Sequence, residues 1–309
     1  MIKYIRIAFI IFALAYLVLG ILLHVEVSFL VVGNYPDITG KFVARDYSLQ
    51  FSYFIAGLVI IYLIYKSVKG ERRFVTLYYW FIYFSILFFF YLIISLHQVE
   101  IIHIVQYTGV ALLLAKLLDP SKEKFYFGKI LFLGTCIGIL DELMQYYVVS
   151  PTHTYLDFND FLANLLGVIP GLLIYYGFKN HNVNNIDRKK FYNTKRFAFF
   201  TVITFWITYL FVNGNLKISP KHFVSPGSYA FIDHKFVVYM ERIPGLLGSW
   251  QKHLVRGYYY ALTPLEGILL VALICLLFST FDPRIFDSVK NIIVNFKKFL
   301  KLNDLGKMK

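Results

Sequence analysis

From Phe74 to Leu96 the chain runs without a single charged side chain. A helix needs about 20 such residues to cross roughly 30 Å of hydrocarbon, and this run supplies them. Comparable apolar runs fall at 7–25, 48–65, 100–118, 130–149, 161–178, 197–213 and 264–281. They are unbroken rather than striped with a 3.6-residue period, which is the pattern of helix facing lipid on several sides. Composition agrees. Only 16% of the 309 residues are charged and 58% are hydrophobic, whereas soluble domains carry about a quarter charged residues. The expected architecture is an all-α integral membrane protein, a bundle of about eight transmembrane helices that satisfy their own backbone polar groups.

The fifth run is the unusual one. Its uncharged part, Ile130–Leu140, is too short to cross alone, so the crossing takes in Asp141 and Glu142 or brings them to its edge. Lys3 and Arg6 before Ile7–Leu23 imitate a secretion signal, but no small-x-small cleavage site follows, so an uncleaved first span is expected.

Alternating sides turn the basic residues into a test of orientation. Of the 31 Lys and Arg, 23 fall on one side of the eight-span arrangement and 8 on the other. The positive-inside rule places the richer side, with both termini, in the cytoplasm. The same clustering between apolar runs explains the net charge of +13 as juxtamembrane anchoring and argues against a nucleic-acid partner. Cys136 and Cys275 both lie inside apolar runs, where packing is the expected role.

The resulting organisation is an N-terminal transmembrane hairpin over 1–73, a four-helix core over 74–178, a basic cytoplasmic loop over 179–197, and a C-terminal hairpin over 198–309. The last carries an external loop, 214–262, in which Ser228–Tyr239 has the alternation of a short β-hairpin turning at Asp233–His234. Trp250 and Tyr258–Tyr260 read as an interfacial aromatic belt.

Polar residues gather at the external ends of spans four to six. Glu100, His103 and Tyr107 open span four, Asp141, Glu142 and Gln145 end span five, and His153, Asp157, Asp160 and Asn164 lead into span six. His97 and His153 are expected to be interfacial only. Asp141 and Gln145 are four apart and share a helix face, as do Asp160 and Asn164. Gly134 and Gly138 continue the first face and Gly167 and Gly171 the second, giving two small-residue strips expected to face each other.

Ionisable groups inside a bilayer are costly and mark functional sites by default. Three chemistries fit the cluster. One is proton transfer by His103 or by a carboxylic acid such as Glu142, with Asp141 and Asp160 as further catalytic candidates. Another is a divalent cation held by Asp141, Glu142, Asp157 and Asp160 with His103. The third is a polar cleft for a sugar or headgroup, with Gln145, Asn164, Asp157, Tyr107 and Glu100 as binding groups. A structural reading stands beside them, with interhelical hydrogen bonds as glue and Asp160 as a helix N-cap. No H-E-x-x-H, G-x-S-x-G or phosphate-cradling glycine loop is present. No inverted repeat stands out either, which ranks a transporter below the other readings. The residues name no cofactor and leave the identity of any metal open.

The run Gly138-Ile-Leu-Asp141-Glu142-Leu-Met-Gln145, followed by Asp157-Phe-Asn-Asp160-Phe-Leu-Ala-Asn164-Leu-Leu-Gly167, resembles the VanZ-like family of bacterial membrane proteins. That family closes one helix with Asp-Glu-x-x-Gln and opens the next with Asp-x-x-x-Asn-x-x-Gly; His103 and Tyr107 match its upstream His and Tyr. The resemblance covers roughly residues 85–178. It departs at Pro151–Tyr155, where the family usually has an Arg. Either an Arg or Lys from 214–262 takes that place, or the ligand differs. The resemblance implies a multi-pass protein of the bacterial inner membrane and cell envelope. It also implies a link to resistance against teicoplanin-type glycopeptides, and a lipid-linked envelope precursor or glycan as partner.

Overall fold

The structure, a computed structural model, describes residues 61–69, 73–94, 100–149, 154–178, 195–223, 229–232, 234–253 and 257–282, together with Ala15. The run 7–25 apart from Ala15, most of 48–65, the basic stretch 179–194, His97, His153 and the side chain of Glu100 therefore lie outside the described residues.

Helices occupy the apolar runs that are described. Residues 61–69 are helical, and α1 spans Arg73–Ile93. Glu100–Leu118 forms α2. Phe127–Met144 forms α3, which continues into a π-helical turn, Gln145–Val149. Phe158–Tyr176 is α4, Lys195–Val212 α5 and Pro264–Ser279 α6. Among these, Phe74–Ile93 and Phe158–Tyr176 are long and apolar enough to cross a membrane, while His103–Leu118, Thr201–Val212 and Pro264–Ser279 are apolar but shorter.

Helix α4 is the axis of the packing. It lies against α2, α3, α6 and α1, and its residues from Phe161 to Leu173 are all buried. The surrounding helices turn large apolar side chains outward: Phe81 and Phe88 on α1, Phe205 and Val212 on α5, Ile268 and Leu273 on α6 are exposed. A chain folding in water alone would bury such residues first.

The glycine strips do not meet as the spacing suggested. Gly134 and Gly138 on α3 do face α4, where an added Cβ would strike Val168 and Asn164. Gly167 and Gly171 turn instead toward α2: a Cβ on Gly167 would lie 2.6 Å from Tyr107 Cβ and 2.9 Å from the backbone oxygens of His103 and Ile104. The close pair is thus α2 with α4, running parallel, with α3 antiparallel and in contact with both. Pro170 lies inside α4, and in the same stretch the Thr108 hydroxyl, on α2, donates to the Gly167 carbonyl (3.0 Å). At the far end, Tyr176 donates to Asp119 Oδ2 (3.0 Å) and Lys122 to the Tyr175 carbonyl (2.7 Å), tying α4 to the loop after α2.

The long loop after α5 is built of strands. β1 (Leu216–Lys217), β2 (Tyr229–Ile232) and β3 (Lys235–Tyr239) form one sheet in the order β1-β3-β2. β2 and β3 make the hairpin expected from the alternation, and His234 takes a left-handed φ of 61° at its turn. A second hairpin, β4 (Ser249–His253) with β5 (Gly257–Ala261), pairs Trp250 with Tyr260. The aromatic residues read as an interfacial belt therefore sit on this ribbon.

Candidate functional site

The loop and the helices meet at one end of α4, and the polar residues gather there. The helix starts at Phe158, three residues earlier than the apolar run indicated, so its N-cap is Asp157 rather than Asp160. The Asp157 carboxylate accepts from the N–H groups of Asn159 (2.8 Å) and Asp160 (3.4 Å), which have no helical partners of their own. Burial, then the neighbouring Asp160 carboxylate, push Asp157 up to about 8, against the pull of those N–H donors. Asn159 holds the loop to this end, donating to the Tyr260 carbonyl (2.9 Å) and accepting from the Leu262 N–H (3.0 Å).

One turn inward lies a buried polar cluster drawn from three helices. His103 and Tyr107 are a turn apart on α2; Asp141, Glu142 and Gln145 come from α3 at its passage into the π-helical turn; Asp160 and Asn164 come from α4. His103, Asp141, Glu142, Gln145 and Asn164 are each at most 3% exposed. Asp160, at 17% side-chain exposure, is where the cluster reaches the surface.

The contacts divide the cluster in two. In the first half Asp141 is fully engaged: Tyr107 donates to Oδ2 (2.7 Å) and Gln145 to Oδ1 (3.1 Å). In the second half Asn164 is the organiser. Its amide donates to the Gly138 carbonyl (3.2 Å) and to Glu142 Oε1 (3.0 Å), and its Oδ1 faces His103 Nδ1 at 2.7 Å. His103 Nε2 then stands 3.7 Å from Asp160 Oδ1, and Nδ1 stands 3.9 Å from Glu142 Oε1. These last two spacings exceed hydrogen-bond length. Ligand atoms of His103, Glu142 and Asp160 lie within 4.8 Å of one another. What this half can do chemically is move a proton between imidazole and carboxylic acid, or hold a cation.

The structure thus brings His103, Tyr107, Asp141, Glu142, Gln145, Asp160 and Asn164 together and sets Asp157 at their edge as the cap. Two charged residues unmarked by any motif also belong to this end. Glu241 accepts from the N–H groups of Gly245, Leu246 and Leu247. Arg242 lies over the Tyr146 ring (5.1 Å), donates to the Tyr146 carbonyl (3.0 Å), and its N–H donates to the Thr154 carbonyl (2.7 Å). An arginine of the 214–262 loop therefore lies beside the segment that lacks one. Nothing in the local sequence signalled this, because the pairing is set by the long-range bridge between Tyr155 and Glu241.

Comparison with protein-family models, curated proteins and solved structures gives no match.

Proposed function

We propose that the chain is a cell-envelope membrane protein of about eight spans. Its buried polar cluster is a site on the external side for the polar part of a lipid-linked precursor or a glycan. The carrying observation is that His103 and Glu142 are buried among helices with exposed apolar flanks and that, among the described residues of the set, Asp160 is the one that reaches the surface. Ionisable groups so placed are expensive in a bilayer unless they are used. The strand-built loop over the same end, and the excess of basic residues on the opposite side, favour the outer leaflet. The resemblance to the VanZ-like family favours an envelope ligand and an effect on teicoplanin-type glycopeptide susceptibility.

A second reading has its own support. Asp141 with Tyr107 and Gln145, and Asn164 with Gly138, form satisfied interhelical bonds, as a non-enzymatic scaffold requires. Glu142→Gln separates the two. It keeps an acceptor for Asn164 and removes the titrating carboxyl. A site predicts a chain that melts as wild type in detergent while glycopeptide susceptibility of cells carrying it shifts to that of cells without it. Unchanged susceptibility with unchanged melting would leave the scaffold.

A further inference from the structure

We infer that His103, Glu142 and Asp160 form a binding site for one divalent first-row transition-metal ion. This rests on reading the cluster as a ligand site rather than as glue.

Gly138 O can only accept, so the Asn164 atom 3.2 Å from it is the amide nitrogen. That fixes Asn164 Oδ1 as the atom facing His103 Nδ1 at 2.7 Å, and Nδ1 must donate. In the neutral ring the lone pair is then on Nε2, the nitrogen directed at Asp160 Oδ1. A lone pair and a carboxylate oxygen repel unless a cation or proton lies between them. Their separation is 3.7 Å. Two donors at about 2.1 Å from a tetrahedral ion stand about 3.4 Å apart, so a small rotamer change closes the gap. Donation of the other ring N–H to a carbonyl is how a metal-bound histidine is oriented.

Charge points the same way. Among the described residues, His103 is the one basic side chain within 4 Å of the Glu142 and Asp160 carboxylates, and with its ring neutral neither carboxylate is paired with a charge there. Two carboxylates, a neutral imidazole and a divalent ion sum to zero, so the ion offsets the charge of its own ligands and leaves Asp141 to its donors Tyr107 and Gln145. A mixed nitrogen and oxygen set suits Mn²⁺ or Zn²⁺ better than Ca²⁺ or Mg²⁺, which favour oxygen ligands. Three protein ligands leave a position for water or a ligand oxygen, reached past Asp160.

The full-length chain in detergent, stripped with a chelator, is titrated with Mn²⁺ and followed by electron paramagnetic resonance. Saturation at one ion per chain is expected, with coupling to one imidazole nitrogen that His103→Gln removes. Asp160→Asn, isosteric and at the exposed edge, should weaken binding beyond the about 10–100-fold that loss of an outer partner causes. Asp119→Asn, a buried carboxylate at the opposite end, should leave it unchanged. No saturable Mn²⁺ or Zn²⁺ binding by folded wild-type chain, or equal binding by Asp160→Asn, overturns the inference and leaves a proton between His103 and Asp160. If the metal-free chain keeps its glycopeptide phenotype while taking no ion, the inference falls and the proposed function stands. If the ion binds but Glu142→Gln leaves susceptibility unchanged, the metal site stands and the proposed function falls.

Discussion

His103 Nδ1 and Asn164 Oδ1 meet at 2.7 Å, one turn outward of the point where Gly167 lets α2 and α4 close to backbone contact. The glycine sets the distance between the helices, and the asparagine uses it. Asn164 reaches α2 through one atom and α3 through the other, so a single side chain holds three helices at the same level.

Asn164→Asp tests that role with almost no change in volume. The new oxygen would face the Gly138 carbonyl and Glu142 Oε1, two acceptors, where the amide had donated to both. Leaving buried acceptors without donors costs about 1–3 kcal/mol. Thermal melting in detergent should fall accordingly, and a melt equal to wild type would mean that Asn164 organises nothing.

The close helix pair gives a graded series. An added methyl at Gly167 meets backbone oxygens of α2 that cannot move without separating the helices, so Gly167→Ala should cost about 1–3 kcal/mol. At Gly134 the obstacles are the two Val168 methyl carbons, at 2.8 and 2.9 Å, which a rotamer change can relieve. Gly134→Ala should therefore be the milder of the two. The reverse order would mean that α2 and α4 are not the close pair.

Spacing of four placed Asp141 with Gln145 and Asp160 with Asn164 on shared faces, because helical geometry is local. It could not say which neighbour each face meets. Two glycine strips on consecutive antiparallel helices looked complementary, yet the second strip packs on α2, which is separated from it by some sixty positions in sequence. The placement of Arg242 is illegible for the same reason, whereas the β4–β5 ribbon is local and hidden by the aromatic content of Trp250 and Tyr258–Tyr260, which reads equally as an interfacial belt. The Tyr155–Glu241 bridge joins segments whose composition carries no mark of the other. The N-cap was misassigned because the apolar run begins after the helix does, at Phe161 rather than Phe158.

Orientation is testable on described, exposed positions. In a chain with Cys136 and Cys275 changed to alanine, cysteine at Lys221 lies in the strand-built loop and cysteine at Glu123 in the turn between α2 and α3. An impermeant maleimide should label position 221 in intact cells and position 123 only after permeabilisation. Labelling of 123 from outside would invert the arrangement and move the polar cluster to the cytoplasmic side.

The division of the cluster makes a final prediction about Tyr107. Asp141 is wholly buried and takes both of its donors from the side, Tyr107 at Oδ2 and Gln145 at Oδ1. Tyr107→Phe keeps the ring packed and removes only the hydroxyl, so Oδ2 loses its donor where no water replaces it. The expected loss is about 1–3 kcal/mol, read as a lower melting temperature of the detergent-solubilised chain. Gln145→Leu should cost a similar amount by the same mechanism at the other oxygen. Because both changes act through one carboxylate, their effects should not add, and a double-mutant cycle should return a coupling of about 0.5–3 kcal/mol. Glu142→Gln, which preserves its contact with Asn164, should leave the melt nearly unchanged. Strict additivity of the Tyr107 and Gln145 changes would mean that they do not act through one carboxylate. A Glu142→Gln chain as unstable as Tyr107→Phe would show that the cluster is one cooperative network rather than a structural half beside a functional one.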